Sequence, residues 1–273
     1  MNAITLRVKN APGFRVDASN LLPNTLAQMS SKELAEITLQ GHGETCALGD
    51  LFDIAHADAA DASLNIEGDV AWLDRIGASL GEGKLTVHGN AGDYAGIGMK
   101  GGELRIQGNA GRFAACEMQG GRIDVQGNVG DFAAGALPGN MEGMTGGVLA
   151  VHGNVGARLA DRMRRGTVIV GGNTGDFAAS RIVAGTVCIA GETGAHLAYG
   201  MRRGTVVLLT KPSNVPSTFT EGGRGFDVFW LLLTRMLANE IEPFARLEQR
   251  ALPKRFAGDL AVDGRGELLI ANS

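Results

Sequence analysis

"GGELRIQGNAGRF" begins at Gly101 and returns 19 residues later as "GGRIDVQGNVGDF" at Gly120. Self-similarity at a fixed short period is the signature of a stacked architecture, and it constrains the fold more than composition does. Aligned on the residue after the last glycine of the apolar run, the series reads Asp69, Asn90, Asn109, Asn128, Asn154, Asn173 and Glu192, with steps of 21, 19, 19, 26, 19 and 19. A further step lands on Lys211, and "ITLQGH" places His42 at the front. About eight or nine units therefore run across residues 37–211.

Each unit carries the same signals. Two apolar residues alternate before the anchor, as Leu104 and Ile106 or Ile123 and Val125 do, which is the period of a strand with one buried face. Two residues after it stands glycine (Gly92, Gly111, Gly130, Gly156, Gly175, Gly194), read as a corner with positive φ. Nine after it stands Met99, Met118, Met163, Ile182 or Met201. Met144 joins once a seven-residue insertion, at 135–141, is subtracted. Nineteen residues hold short strands and corners but no ordinary helix besides, and one unit cannot bury its apolar side alone. The expected fold is mainly β, a right-handed parallel β-helix of ~19-residue coils about 4.8 Å apart. Stacked asparagines would then pass side-chain amide hydrogen bonds between coils. Tyr94, Phe113, Phe132 and Phe177 would pack in register, and where Arg158 or His196 replaces them the bulk shifts to Leu159 or Leu197. Asp93, Arg112 and Asp131 alternate in sign along the stack, which reads as a charge ladder.

The ends differ in kind. Residues 1–36 read as an N-terminal cap, with Ser31 as the N-cap of "KELAEI". Residues 212–273 read as a linker, an amphipathic helix over 226–237 that caps the last coil or docks on a partner, and a tail with a hairpin turn at Asp263 and Gly264.

Chemistry is sparse. With 42 glycines in 273 residues, glycine loops abound, but none has the full spacing of a phosphate-binding loop, and "GHGETCALG" at Gly41 reads as the first coil's corner. His42, His56, His88, His152 and His196 form no metal-binding motif and read as surface residues. Cys46, Cys116 and Cys188 read as reduced, mostly buried thiols. No catalytic residue and no metal ligand is assigned. The net charge of -4 argues against nucleic acid, and no apolar run is long enough for a membrane span, so a cytoplasmic protein is expected. One surface feature stands out. Arg164 and Arg165 recur as Arg202 and Arg203 two coils later, with Arg162 and Arg181 nearby. They form either a solvated or subunit-facing side of the rod or a face for an acidic ligand.

The repeat G-x-x-M-x-x-G-x-[IL]-x-[IV]-x-G, as in "GIGMKGGELRIQG" and "ACEMQGGRIDVQG", resembles the C subunit of formylmethanofuran dehydrogenase, a family sharing its β-helix with the C-terminal domain of glutamate synthase. "LGDLFDI" at Leu48 and "GDLAVDGRGELLI" near the end resemble it outside the repeat. The resemblance implies one of two settings. In the bacterial branch, a four-subunit formyltransferase/hydrolase complex moves a formyl group from tetrahydromethanopterin to a methanofuran analogue and hydrolyses it to formate during formaldehyde oxidation. In the archaeal branch, a molybdenum or tungsten enzyme reduces carbon dioxide onto methanofuran. Abundant Ala and Arg, few lysines and no ferredoxin-type cysteines point to the bacterial branch. A glutamate-synthase-like spacer domain is the third setting, against which stands the lack of an N-terminal amidotransferase cysteine and a flavin-binding barrel. The resemblance places catalysis elsewhere, with a metal in the amidohydrolase-like A chain and formyl transfer in the D chain. The B chain would complete the partners, and the present chain would be non-catalytic and hold no cofactor itself.

Overall fold

The computed structural model describes residues 2–41, 43–223, 225–248 and 251–271. The N-terminal part holds β1 (Asn2–Val8), β2 (Val16–Asp17), α1 (Pro23–Leu26), α2 (Ser31–Ala35), β3 (Thr38–Gly41), β4 (Thr45–Ala47), α3 (Leu48–Leu51) and β5 (Phe52–Asp58). The repeats supply β6 (Ser63–Glu67), β7 (Leu73–Asp74), β8 (Lys84–His88), β9 (Glu103–Ile106), β10 (Arg122–Val125), β11 (Val148–Val151), β12 (Thr167–Val170), β13 (Thr186–Ile189) and β14 (Thr205–Leu208). Last come β15 (Thr220–Glu221), α4 (Asp227–Leu237), α5 (Glu242–Ala245), β16 (Lys254–Gly258), a 3-10 turn at Leu260–Val262 and β17 (Gly266–Ile270).

Thirteen strands form one sheet in the order β15-β16-β17-β14-β13-β12-β11-β10-β9-β8-β6-β1-β5. From β1 through β6 to β14 and β17 every pairing is parallel, and the apolar positions stay in register: Leu85, Leu104, Ile123, Leu149, Val168, Val187, Val206 and Leu268 lie side by side. Antiparallel strands finish both ends, β5 on β1 and β16 on β17. The repeats also bond to one another away from the sheet. Val129, Val155, Thr174 and Thr193 form a column of single parallel bridges. Ala115 N donates to Ala95 O at 2.8 Å, and Ala134, Ala160, Ala179 and Ala198 donate in the same way. Backbone groups are thus satisfied repeat to repeat around the contour, as buried amides require. Met99, Met118, Met144, Met163, Ile182 and Met201 are all fully buried, and Arg164 N bonds to Met144 O just as Thr145 N bonds to Met118 O. Met144 therefore keeps its register, and the insertion leaves the ladder as an exposed loop.

Several expectations are corrected. "ITLQGH" is not a repeat of the ladder: β3 pairs antiparallel with β2 and β4 in a separate four-stranded sheet, so "GHGETCALG" is a hairpin turn, and His42 lies outside the described residues. The N-cap of α2 is Ser30, whose Oγ accepts from Glu33 N in a capping box, one residue before the predicted Ser31. The glycines two after the anchor do not adopt positive φ. They permit close approach instead: a Cβ on Gly111 would lie 2.1 Å from Asp93 Oδ1, and one on Gly156 2.2 Å from Asp131 Oδ1. Positive φ falls elsewhere: on the glycine just before each strand from β8 to β14 (Gly83, Gly102, Gly121, Gly147, Gly166, Gly185, Gly204), on Tyr94, Phe113, Phe132, Arg158, Phe177 and His196, on Ala115, Ala134, Ala160, Ala179 and Ala198, and on Glu117, Arg162 and Arg181.

Helix α4 does not cap the end of the ladder. It lies over the outer face of the sheet, where Trp230, Leu233 and Leu237, with Ile241 and Phe244, make a second core against Ala150, Ile169, Cys188, Val207 and Leu269. This explains why β6 and β10 alternate buried and half-exposed residues while β11 to β14 bury both faces. Arg122 reaches Glu240 just beyond α4 at 2.7 Å and Asp124 at 3.2 Å. The tail does turn back on itself: Asp263 takes a left-handed conformation between the antiparallel β16 and β17. Among the described residues no helix is long and apolar enough to cross a membrane.

Candidate functional site

The corner at the anchor is held by side-chain carbonyls. Asn90 Oδ1 accepts from Asn109 N, Asn109 Oδ1 from Asn128 N, Asn128 Oδ1 from Asn154 N, and so on to Glu192 N, all at 2.7–2.8 Å. The predicted ladder exists, but its acceptors serve mainly backbone amides; one amide-to-amide bond joins Asn109 Nδ2 to Asn90 Oδ1 at 3.0 Å. The acidic residues three further on work alike. Asp93 Oδ1 accepts from Arg112 N and Asp131 Oδ1 from Ala157 N, each at 2.8 Å. The expected charge ladder is therefore a ladder of amide acceptors, and the Arg112 guanidinium lies over the rings of Phe113 and Phe132.

Those rings belong to a column. Arg75 lies 5.1 Å over Tyr94, Tyr94 stacks on Phe113 at 5.0 Å and Phe113 on Phe132 at 4.9 Å. Arg158 fills the next step, between Phe132 and Phe177, and His196 ends the column 4.6 Å from Phe177. Arg158 and His196 do not leave the stack, as the shift of bulk to Leu159 and Leu197 suggested. They continue it, because guanidinium and imidazole are planar and face a ring favourably.

Titratable groups meet at one open cavity of about 630 Å³ beside α1, lined by Asp61, Glu82, Lys84 and Glu103, where Lys84 Nζ lies 3.9 Å from Asp61 Oδ2. The two buried carboxylates among the described residues are both consumed: Asp161, 5% exposed, by Ser180 Oγ at 2.6 Å and Arg181 Nε at 2.9 Å, and Asp259, 4% exposed, by Gly200 N and Ala261 N, each at 2.9 Å. His152 Nε2 lies 3.4 Å from Asp124 Oδ1, while His56, His88 and His196 are exposed. Among the described residues no three His, Cys, Asp or Glu side chains are grouped to hold a metal. Cys116 and Cys188 are buried and Cys46 is half-buried; burial pushes the Cys116 thiol up to about 12 and raises Cys188 as well. One cavity of about 450 Å³ lies beside the insertion, lined by Glu117, Gln119, Asn140, Met141, Glu142 and Thr145. Glu117 Oε1 anchors that loop through Leu137 N and Asn140 Nδ2.

The arginine face is the surviving surface feature. Arg164 and Arg165 sit two repeats from Arg202 and Arg203 at the same register, about 10 Å apart at two strand spacings. All four are exposed. Arg164 Nε pairs with Glu142 at 2.7 Å, whereas Arg165, Arg202 and Arg203 have no carboxylate partner among the described residues. Arg162 turns to the insertion loop at Asn140 O, and Arg181 to Asp161. Sequence spacing missed Arg265, which continues the row: its N–H bonds to Arg202 O at 2.7 Å because β17 adds itself to β14.

The GXGXG motif family matches residues 64–222, from β6 to just beyond β15. In the formyltransferase/hydrolase complex of Methylorubrum extorquens, solved with methylofuran, one chain superposes with a TM-score of 0.89 at 36% identity, covering 98% of this chain and 100% of that one. By sequence, the C subunit of the same organism's formyltransferase/hydrolase complex is 40% identical over 88 residues, 32% of each protein. The C subunit of the tungsten-containing formylmethanofuran dehydrogenase 2 of Methanothermobacter marburgensis is 36% identical over 101 residues, 36% of this chain and 37% of that one. These two alignments span about a third of the curated relatives' own length. Ladder, motif and whole-chain superposition agree that the chain belongs to the GXGXG motif family, among the C subunits of formyltransferase/hydrolase and formylmethanofuran dehydrogenase complexes.

Proposed function

We propose that this chain is the non-catalytic C subunit of a formyltransferase/hydrolase complex, one that passes a formyl group from formyl-tetrahydromethanopterin to a methanofuran analogue and releases it as formate in one-carbon metabolism. The observation carrying this reading is the superposition over the full length of a chain from such a complex at 36% identity. In this reading the three hydrogen-bonded columns close into a right-handed parallel β-helix, with residues 1–36 as cap, 37–211 as the repeat region and 212–273 as the C-terminal segment. The rungs themselves start at β6, and the β3–β4 hairpin goes with the cap. The rod docks three partners in the cytoplasm: the amidohydrolase-like A chain, the B chain and the formyltransferase D chain. The metal, the methanofuran analogue and tetrahydromethanopterin belong to those partners. Arg164, Arg165, Arg202 and Arg203 form a face for an acidic ligand or a partner.

The archaeal-type dehydrogenase is the second reading, favoured by the 36% identity to the tungsten enzyme's C subunit. Native mass spectrometry of the tagged chain purified from its own cells separates the two. Co-purification with formyltransferase and amidohydrolase-like chains, and no formyl transfer or hydrolysis by the isolated chain, is the expected result. A molybdopterin-bearing partner would select the second reading, and activity of the isolated chain would overturn the non-catalytic role.

A further inference from the structure

The last rung of the ladder and the turn before β17 form one surface. Gly200 N donates to Asp259 Oδ2 at 2.9 Å, Asp259 N to Met201 O at 3.2 Å, and Arg265 N to Arg202 O at 2.7 Å. These bonds set the 3-10 turn beside the corner that carries Tyr199, Arg202 and Arg203. What they bring together is apolar and exposed: Tyr199 is 59%, Leu260 56% and Val262 43% accessible. Around them stand Arg202, Arg203 and Arg265, all exposed and without a carboxylate partner among the described residues. Asp263 is the one exposed acid in the turn; Asp259 is buried and bonded, and Glu267 is paired with Arg255. The patch is thus cationic on a chain whose net charge is -4.

An exposed aliphatic and tyrosine centre with an arginine rim has the apolar-core, polar-rim layout of a protein–protein interface, and its Tyr199 and arginines are of the residue types that carry binding energy. A small anion would use the arginines but would leave Leu260 and Val262 uncovered. A second copy of the chain is disfavoured, since a two-fold contact through this patch sets arginines against arginines. Resting on the reading of the chain as a complex subunit, we propose that the patch formed by Tyr199, Leu260, Val262, Arg202, Arg203 and Arg265 docks a partner subunit presenting an apolar pocket rimmed by carboxylates.

The test co-expresses the tagged chain with the other subunits of its complex. It compares wild type with an apolar variant (Tyr199→Ser, Leu260→Ser), a charge variant (Arg202→Glu, Arg203→Glu, Arg265→Glu) and His88→Ser on a remote exposed site. Thermal melting confirms folding, with Arg→Gln substitutions as the gentler set should charge reversal unfold the chain. Affinity for the remaining subunits is read at low and high salt. Both patch variants are expected to weaken binding roughly 30-fold or more, the size of a hot-spot loss. The charge variant should also lose the salt dependence, and His88→Ser should change nothing. Wild-type affinity in both patch variants overturns the inference alone. So does loss in the charge variant only, which marks a bare polyanion contact, or patch-dependent binding of the isolated chain to phosphatidylglycerol vesicles. Failure of the wild-type chain to assemble overturns the subunit reading and this inference with it.

Discussion

Asn109 sits directly beyond Asn90 in the ladder: Asn90 Oδ1 accepts from both the backbone N and the Nδ2 of Asn109, at 2.8 and 3.0 Å. One carbonyl thereby ties two donors of the next repeat, and Asn109 does the same service for Asn128 N. Asn109→Ala leaves Asn128 N without its acceptor. A loss of about 1–2 kcal/mol is expected in urea unfolding, with Asn109→Asp, which keeps an oxygen there, recovering part of it.

Gly111→Ala places a methyl 2.1 Å from Asp93 Oδ1 and 2.8 Å from Asp93 N, inside a column where neither neighbour can yield without breaking its own bond. The cost should reach at least about 2 kcal/mol. Gly13→Ala meets nothing within 4 Å and should stay within about 0.5 kcal/mol of wild type in the same assay.

Ala115 and Ala114 are both fully buried neighbours, yet Ala115 has φ of 57° while Ala114 is not left-handed. Ala115→Gly removes a left-handed strain as it adds unfolded-state entropy, so its stability should change by less than about 1 kcal/mol in either direction. Ala114→Gly has only the entropic and packing losses and should cost about 1 kcal/mol or more. Equal costs at the two sites would contradict the assigned backbone.

Trp230 anchors α4 on the outer sheet face, fully buried, with Nε1 donating to Glu248 O at 3.4 Å. Trp230→Ala should cost about 3–5 kcal/mol. Leu232, on the opposite exposed side of the same helix, should cost under about 0.5 kcal/mol when changed to alanine in the isolated chain. Thermal melting distinguishes the two.

The thiols give a pH prediction. Cys116 and Cys188 are held protonated by burial, so their native pKa values lie above those of the unfolded chain. Their contribution is complete below the unfolded thiol pKa and is lost as pH rises from about 9 toward the native value, about 12 for Cys116. Stability should therefore fall with pH across that window, and less in Cys116→Ala. A thiol reagent at pH 8 should label Cys46 first in the native chain and all three cysteines only after unfolding.

Much of the ladder is legible in the sequence because stacking makes like residues meet, so a residue type repeats wherever its environment does. The alternating strands, the buried methionines and the position of the insertion follow from that alone. The glycines two after the anchor mislead because two different physical demands, positive φ and close approach, both select glycine. Glycine does mark one left-handed position in each repeat, at Gly102, Gly121, Gly147, Gly166, Gly185 and Gly204, but the others leave no such mark, since aromatic, arginine and alanine residues occupy them, held there by bonds to the adjoining repeats. The place of α4 leaves one trace, the loss of alternation at Ala150, Ile169, Cys188 and Val207, whose outward positions are apolar because the helix covers them. Arg265 leaves none. Only the insertion of β17 beside β14 brings it to Arg202, and no local pattern encodes a pairing across the intervening helices.

The constant register of the parallel ladder turns the repeat count into a length. Every repeat adds one strand spacing of ~4.8 Å between the β5 end and the Tyr199 end, and nothing else. The middle of the molecule is in that sense a ruler, graduated in single strands. A lineage that gains or loses one 19-residue unit resets the distance between whatever the two ends hold, without touching the chemistry of either.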